Sequence, residues 1–250
     1  MAPKNKYSFT LAAYRSIVES LLSLDYEVHS FEDAVPEKRH LILRHDIDMS
    51  LSAAVEMARV ESSIGVNSTY FILLRSEFYN PWTPKSVKFL SEIEAIGHNI
   101  GLHLDASLYD ESDLEEKAEQ EIQLLETLLG HQIKMVSFHR PAPKYVGSDH
   151  LIAGHSHAYR PRYIEEIGYC SDSRGGWHHG HPEDHEAVKN GRALQLLTHP
   201  LWWITNGQNP QEKLVQYCKD CATSLDQELS VHCSVHTPIP SHAAKRPSIR

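Results

Sequence analysis

The hydrophobic positions of this 250-residue chain change their period several times along the sequence. In the first segment the apolar residues recur at helical spacing, at Leu11, Tyr14, Val18, Leu21 and Leu22. An apolar run that ends in acidic residues, HLILRHDID (40–48), comes next. Helical spacing followed by a short apolar run predicts a helix and then a buried strand.

The same order of patterns returns three more times. Ser50, Thr83 and Ser112 precede helical patterns that end at glycines 65, 97 and 130, and Ser112 with Glu115 has the spacing of a capping box. Strand patterns follow these helices at NSTYFILL (67–74), HNIGLHL (98–104) and KMVSFH (134–139). Four such units with short connections predict a parallel sheet covered by helices, which is the α/β class.

The C-terminal half is less regular. Between residues 141 and 191 the chain is rich in Gly, Pro and His, and YIEEIGYCSDS (163–173) predicts a short helix that runs into a strand. RALQLLTH (192–199) predicts another strand, and NPQEKLVQYCKDCATSLDQEL (209–229) a closing helix. We therefore expect one domain over residues 1–231 and a loosely ordered, proline-broken, basic tail over residues 232–250.

Composition and charge narrow the range of functions. Hydrophobic residues make up 41% and charged residues 23% of the chain, which is typical of a globular protein. The net charge of −9 disfavours binding to nucleic acid or to anionic membranes. The chain has no apolar run long enough for a membrane span, no signal-peptide pattern and only four cysteines, so we expect a cytoplasmic protein. Nothing in the pattern specifies an oligomeric state.

Polar side chains gather where the predicted strands end. Asp46 and Asp48 follow the first apolar run, and a strand period of two places them on the same side. Two carboxylates that lie so near each other need a cation or a shared proton between them. Four other strand patterns end similarly, in the segments GLHLD (101–105), FHRP (138–141), SDSRG (171–175) and LTHPLWW (197–203). In parallel sheets this edge binds ligands, so we expect one common site.

Two other groups of residues carry a weaker signal. The histidines of HHGHPEDH (178–185) lack a defined ligand spacing, and a solvated loop explains them. Cys218 and Cys221 form a single CxxC within the predicted closing helix. Without a second such pair, they are read as ordinary helix residues.

Taken in order, the five strand-end segments resemble the motifs of the NodB-homology polysaccharide deacetylases, carbohydrate esterase family 4. They are most similar to the deacetylase-like branch found with surface-polysaccharide biosynthesis genes. The resemblance extends from about Tyr7 to the last predicted helix. It implies a distorted (β/α) barrel of about seven parallel strands. It also implies a hydrolase that uses a divalent metal, Zn²⁺ by preference, to remove an acetyl group from an N-acetyl or O-acetyl sugar or sugar precursor.

The resemblance also implies a metal site. Asp48 matches the family's aspartate ligand, and His103 matches the first of two ligand histidines four residues apart. The second would stand at position 107, which is Ser107 in this chain. Asp105 and His139 are the local candidates to replace it, and we favour His139 because imidazole restores a common zinc ligand set.

The remaining roles follow in the same way. Asp46 is the expected general base and Arg140 the arginine that orients it. His199 is the expected general acid and Asp172 the carboxylate that holds it. Trp177, Trp202 and Asp105 are candidates for contact with a glycan or small-molecule substrate, although tryptophans at strand ends also serve as core residues.

Two alternative functions stay open on the same fold. One is hydrolysis of another amide, such as an N-formyl group, because fold and metal do not determine the acyl group. The other is a non-catalytic, carbohydrate-binding relative. Bound metal separates the second alternative from the enzymes.

Overall fold

The computed structural model describes residues 8–178 and 180–239. Contacts divide the chain into two compact units, one that ends at Ile204 and one that contains the residues from Thr205 onwards. His179 of the predicted solvated loop and residues 240–250 of the predicted tail lie outside the described residues. That residues 1–231 form a single domain stays a prediction.

Helices and strands alternate through most of the chain. The helices are α1 (Leu11–Ser23), α2 (Leu51–Ser63), α3 (Pro84–Ala95), α4 (Leu114–Leu129), α5 (Glu186–Lys189), α6 (Pro200–Ile204) and α7 (Pro210–His232). The strands are β1 (Glu27–Val28), β2 (His40–Ile47), β3 (Thr69–Ile72), β4 (Asn99–Leu104), β5 (Met135–Phe138), β6 (Ser156–His157), β7 (Gly168–Ser171) and β8 (Leu194–Thr198). Short 3₁₀ and π turns connect several of these elements.

Every strand pair of the sheet is parallel. The order is β6-β5-β4-β3-β2-β8-β7, and β1 pairs with the beginning of β2. The predicted α/β class and the distorted (β/α) barrel of about seven parallel strands are confirmed. Because all strands run the same way, their carboxyl ends meet at one edge of the sheet.

The sheet has an outer face under the helices and an inner face. On β3, Tyr70 and Ile72 belong to the outer core with α2, α3 and α4, whereas Phe71 belongs to the inner cluster. Gly101 of β4 faces inward, and a Cβ there would lie 2.6 Å from the ring of Phe71. Glycine is therefore required at this position, because Phe71 fills the space inside the barrel.

Helix starts agree with the sequence pattern at two of three sites. The Ser50 and Thr83 side chains accept hydrogen bonds from the first turns of α2 and α3, as expected of N-caps. The predicted capping box of Ser112 with Glu115 is wrong, because α4 begins at Leu114 and Ser112 donates to Asp113 instead. Glu115 accepts a hydrogen bond from the hydroxyl of a distant residue, Tyr145, so it does not reach back to its own helix end.

The sequence pattern missed the shortest elements. Strands β1 and β6 have two residues each, and a single residue, His199, separates β8 from α6. The short helix predicted before β7 is a single π-helical turn, Arg162–Glu166. In the second unit, α7 begins at Pro210 with Asn209 as N-cap, and Cys218 and Cys221 are both free and exposed on it. Among the described residues, no helix is both long and apolar enough to cross a bilayer.

Candidate active site

Three side chains from three strand ends converge at the carboxyl edge of the sheet. Asp48 directly follows β2, His103 lies near the end of β4, and His139 directly follows β5. His103 Nε2 lies 3.2 Å from Asp48 Oδ1, and His139 Nδ1 lies 3.0 Å from the same oxygen. One ligand atom from each residue falls within 4.8 Å of the other two, which is close enough for all three to contact one ion.

These donors fit a divalent cation. One carboxylate oxygen and two imidazole nitrogens form a set that Zn²⁺ accepts, with room for a further ligand. Burial alone would raise the pKa of Asp48, but the hydrogen bonds from His103 and His139 hold it well below its usual value. The hydrogen bond to Asp48 raises the pKa of His139. The ionised carboxylate thus already attracts positive charge to the position that a cation would take.

A second cluster of possible ligands, Glu27, His29 and His40, does not fit as well. It lies at the opposite end of the strands, where β1 pairs with the first residues of β2. The backbone N–H of Val35 donates to His40 Nδ1 at 3.0 Å. The neutral His40 ring therefore carries its proton on Nε2, and neither nitrogen offers a free lone pair.

Asp46 lies beside the three-residue cluster, on the inner face of β2. Its carboxylate accepts two hydrogen bonds from Arg44, at 3.0 and 2.8 Å, and one of its oxygens is 3.7 Å from His103 Nε2. Both Arg44 and Asp46 are buried. Burial alone would raise the pKa of Asp46, but the charge of Arg44 lowers it below its usual value. Asp46 is therefore a fixed and ionised carboxylate.

The arginine that holds Asp46 is not the one expected from the sequence. Arg140, predicted to orient Asp46, pairs with Asp105 through its Nε and Nη2 atoms. The reason is geometric, because Arg140 lies two residues beyond β5 with an exposed side chain, whereas Arg44 shares an inward strand face with Asp46.

Asp105 and Ser107 form a local turn rather than a ligand pair. Asp105 accepts hydrogen bonds from the backbone N–H and the hydroxyl of Ser107, at 3.1 and 2.8 Å. Burial raises the pKa of Asp105, but the hydrogen bonds from Arg140 and Ser107 lower it further than burial raises it. Asp105 is thus engaged within its own turn, and His139 completes the cluster with Asp48 and His103.

His199 and Asp172 form a second polar pair at the same edge. His199 Nδ1 lies 2.6 Å from Asp172 Oδ1, and the His199 backbone N–H donates to the same carboxylate. The indole N–H of Trp203 donates to Asp172 as well, at 2.7 Å. Burial alone would lower the pKa of His199, but Asp172, Asp48 and Asp46 raise it to about 9. His199 Nε2 faces Asp48, 3.9 Å from its Oδ2 atom.

The two predicted substrate-contacting tryptophans have different surroundings. Trp202 is buried and lines a small cavity together with Asp46, Asp48 and His199. Trp177 is half-buried, and its ring lies 5.7 Å from that of Phe9 and 5.8 Å from that of Trp203, between ring centres. The position of Trp177 is that of a packing residue, while Trp202 lies at the site itself.

Sequence reasoning missed the buried network behind the strands. His45 Nδ1 lies 2.7 Å from the hydroxyl of Thr198, and its Nε2 lies 2.8 Å from a carboxylate oxygen of Glu61. The hydroxyls of Tyr14 and Tyr70 donate to Glu61 as well. The signal was present in the strand period, since His45 must point away from its neighbours Arg44 and Asp46.

Comparison with solved structures identifies neighbours of one kind. A family 4 carbohydrate esterase from Bacillus anthracis shares 12% identity at a TM-score of 0.43, over 83% of this chain and 85% of that chain. The deacetylase PplD from Streptococcus pyogenes, solved with acetate, shares 13% identity at a TM-score of 0.45, over 86% of this chain and 92% of that chain. A pseudoenzyme of the same esterase family from B. anthracis shares 11% identity at a TM-score of 0.38, over 78% of this chain and 63% of that chain. At these identities the likeness concerns the fold and not the reaction.

No protein-family model matches the sequence, and a search of curated proteins finds no match.

Proposed function

We propose that this chain is a zinc-dependent hydrolase that removes the acetyl group from an N-acetyl or O-acetyl sugar, or a sugar precursor, in polysaccharide biosynthesis. One observation carries the proposal. The cluster of Asp48, His103 and His139 is flanked by an ionised proton acceptor, Asp46, and by a histidine of raised pKa, His199. Hydrolysis of an amide or ester needs these three functions at one point.

The metal and the base have separate tasks. A bound Zn²⁺ would polarise the acyl carbonyl and make a water molecule in the site more acidic. Asp46 would accept the proton of that water as it attacks the carbonyl. The two hydrogen bonds from Arg44 direct the carboxylate, and Arg44 is itself held by Gln195 at 3.1 Å and by Tyr159 at 3.3 Å. The base is therefore fixed before substrate binds, which lowers the cost of reaching the transition state.

His199 has the protonation state of a general acid. With a pKa of about 9, the ring is an imidazolium at neutral pH. Its Nδ1–H donates to Asp172, so the Nε2–H is directed toward Asp48 and the metal cluster. As the C–N or C–O bond breaks, Nε2 would donate its proton to the departing amine or alcohol.

The substrate class rests on the resemblance in the strand-end motifs together with the predicted cytoplasmic location. Inside the cell, an acetylated sugar is available to such an enzyme as a nucleotide-linked or lipid-linked precursor. Trp202, at the edge of the cavity, supplies an apolar surface beside the reacting groups. An aromatic surface of this kind suits the apolar face of a sugar ring.

The proposal is tested by elemental analysis and by assays of released acid. The zinc-loaded protein is expected to release acetate from UDP-N-acetylglucosamine or from N-acetylglucosamine oligomers. Asp46→Asn is expected to keep its zinc and lose about 10²–10⁴-fold in kcat. If the protein released formate from N-formyl substrates but no acetate from acetylated sugars, it would be an amide hydrolase of another specificity. Absence of stoichiometric zinc together with sugar binding would identify a non-catalytic relative.

A further inference from the structure

We propose that Cys218 and Cys221 are one half of a structural zinc site, and that a second copy of this chain supplies the other half. The site lies on α7 in the second unit, and it is independent of the catalytic cluster. The sequence contains a single CxxC, so the pattern alone indicated two ordinary helix residues. The surroundings of the two thiols on α7 lead to a different interpretation.

The two thiols are placed to bind one ion. Cys218 and Cys221 lie three residues apart within α7, so their side chains leave neighbouring turns on the same side of the helix. Their Cβ atoms are then about 5–6 Å apart. Two sulfurs on one tetrahedral Zn²⁺ lie about 3.8 Å apart, since each Zn–S bond is about 2.3 Å. Rotation of the two side chains can reach that distance without a change in the helix backbone.

The pair is exposed, and as a zinc site it is incomplete. A free cysteine is usually buried, as Cys170 is, yet Cys218 and Cys221 are both exposed. A structural Zn²⁺ takes four ligands, of which this pair supplies two. Within the described residues, no histidine, carboxylate or further cysteine joins the two thiols in a group of three. A closed structural site therefore needs a donor pair from outside this chain, and a second CxxC completes a Cys₄ set.

An apolar stripe runs along α7 on both sides of the thiols. Leu214, Val215 and Ala222 line one open groove together with Cys218. Leu225 continues the stripe toward the end of the helix, with 62% of its surface exposed. Exposed apolar side chains that follow one another along a helix are typical of a face that packs against another protein.

The stripe is symmetric about the thiols. Positions 214, 218, 221 and 225 are spaced by four, three and four residues, which is the spacing of a helix seam that packs against a second helix. Leu214 and Leu225 have the same midpoint in the sequence as Cys218 and Cys221. A two-fold axis through that midpoint, perpendicular to the helix, sets Leu214 of each copy opposite Leu225 of the other. A Zn²⁺ on the axis would then have two thiolates from each copy.

Charge favours this antiparallel arrangement over a parallel one. The next seam positions on either side of the stripe are Gln211 and Glu228. In a parallel pair each Glu228 would face the same carboxylate on the other copy, and the two would repel each other. In the antiparallel pair Glu228 faces Gln211, whose amide can donate a hydrogen bond to it. The four seam positions between these two residues carry no charged side chain.

Tyr217 supplies a hydrogen-bond donor beside the site. It lies one turn before Cys221, and its hydroxyl forms a hydrogen bond with the Cys221 side chain. Burial and this contact raise the pKa of Tyr217, so the phenol keeps its proton at neutral pH. Zinc binding releases the thiol protons to solvent, and the phenol would then donate to the Cys221 thiolate. Donors of this kind orient the ligands of a metal site.

The experiment uses the full chain under reducing conditions, with His103→Ala to remove a ligand of the catalytic cluster. We expect a dimer with one Zn²⁺ for two chains, and a monomer after chelation. Sedimentation gives the mass, and elemental analysis gives the zinc content. When Co²⁺ replaces Zn²⁺, the near-ultraviolet absorption of cobalt–thiolate bonds should appear together with the dimer.

Matched variants separate the thiols from the apolar stripe. Cys218→Ser and Cys221→Ser should each lose the cobalt–thiolate absorption and the zinc-dependent dimer, whereas Cys233→Ser should keep both. Leu225→Asp places a charge on the seam and should lose the dimer at concentrations where the unmodified chain is dimeric. Gln227→Asp adds the same charge on the opposite, exposed side of α7 and should keep it.

Three results would overturn the proposal. One is a chain that stays monomeric with zinc bound, and another is the absence of cobalt–thiolate absorption. The third is a dimer that persists in Cys218→Ser after chelation, because zinc would then not join the two copies. None of these readouts depends on turnover, so a failure to release acetate would reject the proposed function and leave the α7 site in place.

Discussion

His103 Nε2 and Asp48 Oδ1 lie 3.2 Å apart, although the two residues are 55 positions apart in the sequence. Asp48 directly follows β2 and His103 lies on β4, and these two strands are not neighbours because β3 lies between them. Their contact depends on the curl of the sheet, which brings inward side chains together across the inside of the barrel. Two residues before His103, on the same inward face of β4, Gly101 leaves room for the ring of Phe71.

The first prediction concerns bound metal. Asp48→Ala and His103→Ala are each expected to lose most of the zinc, because each removes one of three ligands. Glu27→Ala, in the cluster at the opposite end of the strands, should keep it. Elemental analysis of the purified variants measures the zinc content per chain. Full occupancy in both Asp48→Ala and His103→Ala would reject the ligand assignment.

The second prediction separates the two arginines. Arg44→Met leaves the buried carboxylate of Asp46 without its partner, and we expect it to lower the free energy of unfolding by about 3–5 kcal/mol. Arg140→Met removes an exposed side chain whose partner, Asp105, keeps its hydrogen bonds from Ser107, so the loss of stability should be much smaller than in Arg44→Met.

Denaturant unfolding of both variants checks this difference. The loss of activity should also be larger in Arg44→Met than in Arg140→Met, because Arg44 directs the base. Equal losses of stability would contradict the assignment of Arg44 as the partner of Asp46.

The edge of the sheet was predictable, but the partners within it were not. An apolar run that ends in polar residues identified the ends of β2, β4, β5, β7 and β8, because buried parallel strands must be apolar until they reach solvent. The sequence pattern alone could not show whether Arg44 or Arg140 pairs with Asp46. Arg44 lies within β2 and Arg140 just beyond β5, and only the side-chain directions in the folded sheet show which one meets Asp46.

Other parts of the site depended on contacts that no local pattern records. Ser107 stands where the resemblance places a histidine, and only the fold shows that His139 reaches Asp48 while Asp105 turns toward Arg140. His98, the first residue of the HNIGLHL segment, is buried between Ser68 and the carbonyl of Ala58. A single polar residue in a strand pattern does not reveal which distant group will satisfy it.

The third prediction concerns the protonation of His199. In metal-free protein its pKa should lie near 9, raised mainly by Asp172 against the effect of burial. Asp172→Asn removes that charge, so the pKa should fall and the imidazolium should be lost at a lower pH. NMR titration of the ring measures both values. An unchanged pKa in Asp172→Asn would show that Asp172 does not stabilise the charged ring.

The fourth prediction concerns acid stability and the buried carboxylate of Glu61. Burial alone would raise its pKa, but His45 and the other donors lower it to about 2 in the folded state. An unfolded glutamate titrates near 4.3, so the folded state gains about 3 kcal/mol of stability from this group above that pH. This contribution is lost as the pH falls from the unfolded value through the folded one.

Glu61→Gln should therefore be less stable at neutral pH, yet its free energy of unfolding should fall less steeply between about pH 4.5 and 2. Glu56→Gln, on the exposed side of the same helix, is the matched control and should follow the unmodified chain. Denaturant unfolding at several pH values gives the three curves. Parallel curves for the Glu61→Gln variant and the unmodified chain would mean that Glu61 is not ionised in the folded protein. The hydrogen bonds from Tyr14 and Tyr70 would then act on a neutral acid, and His45 would have no charged partner behind the strands.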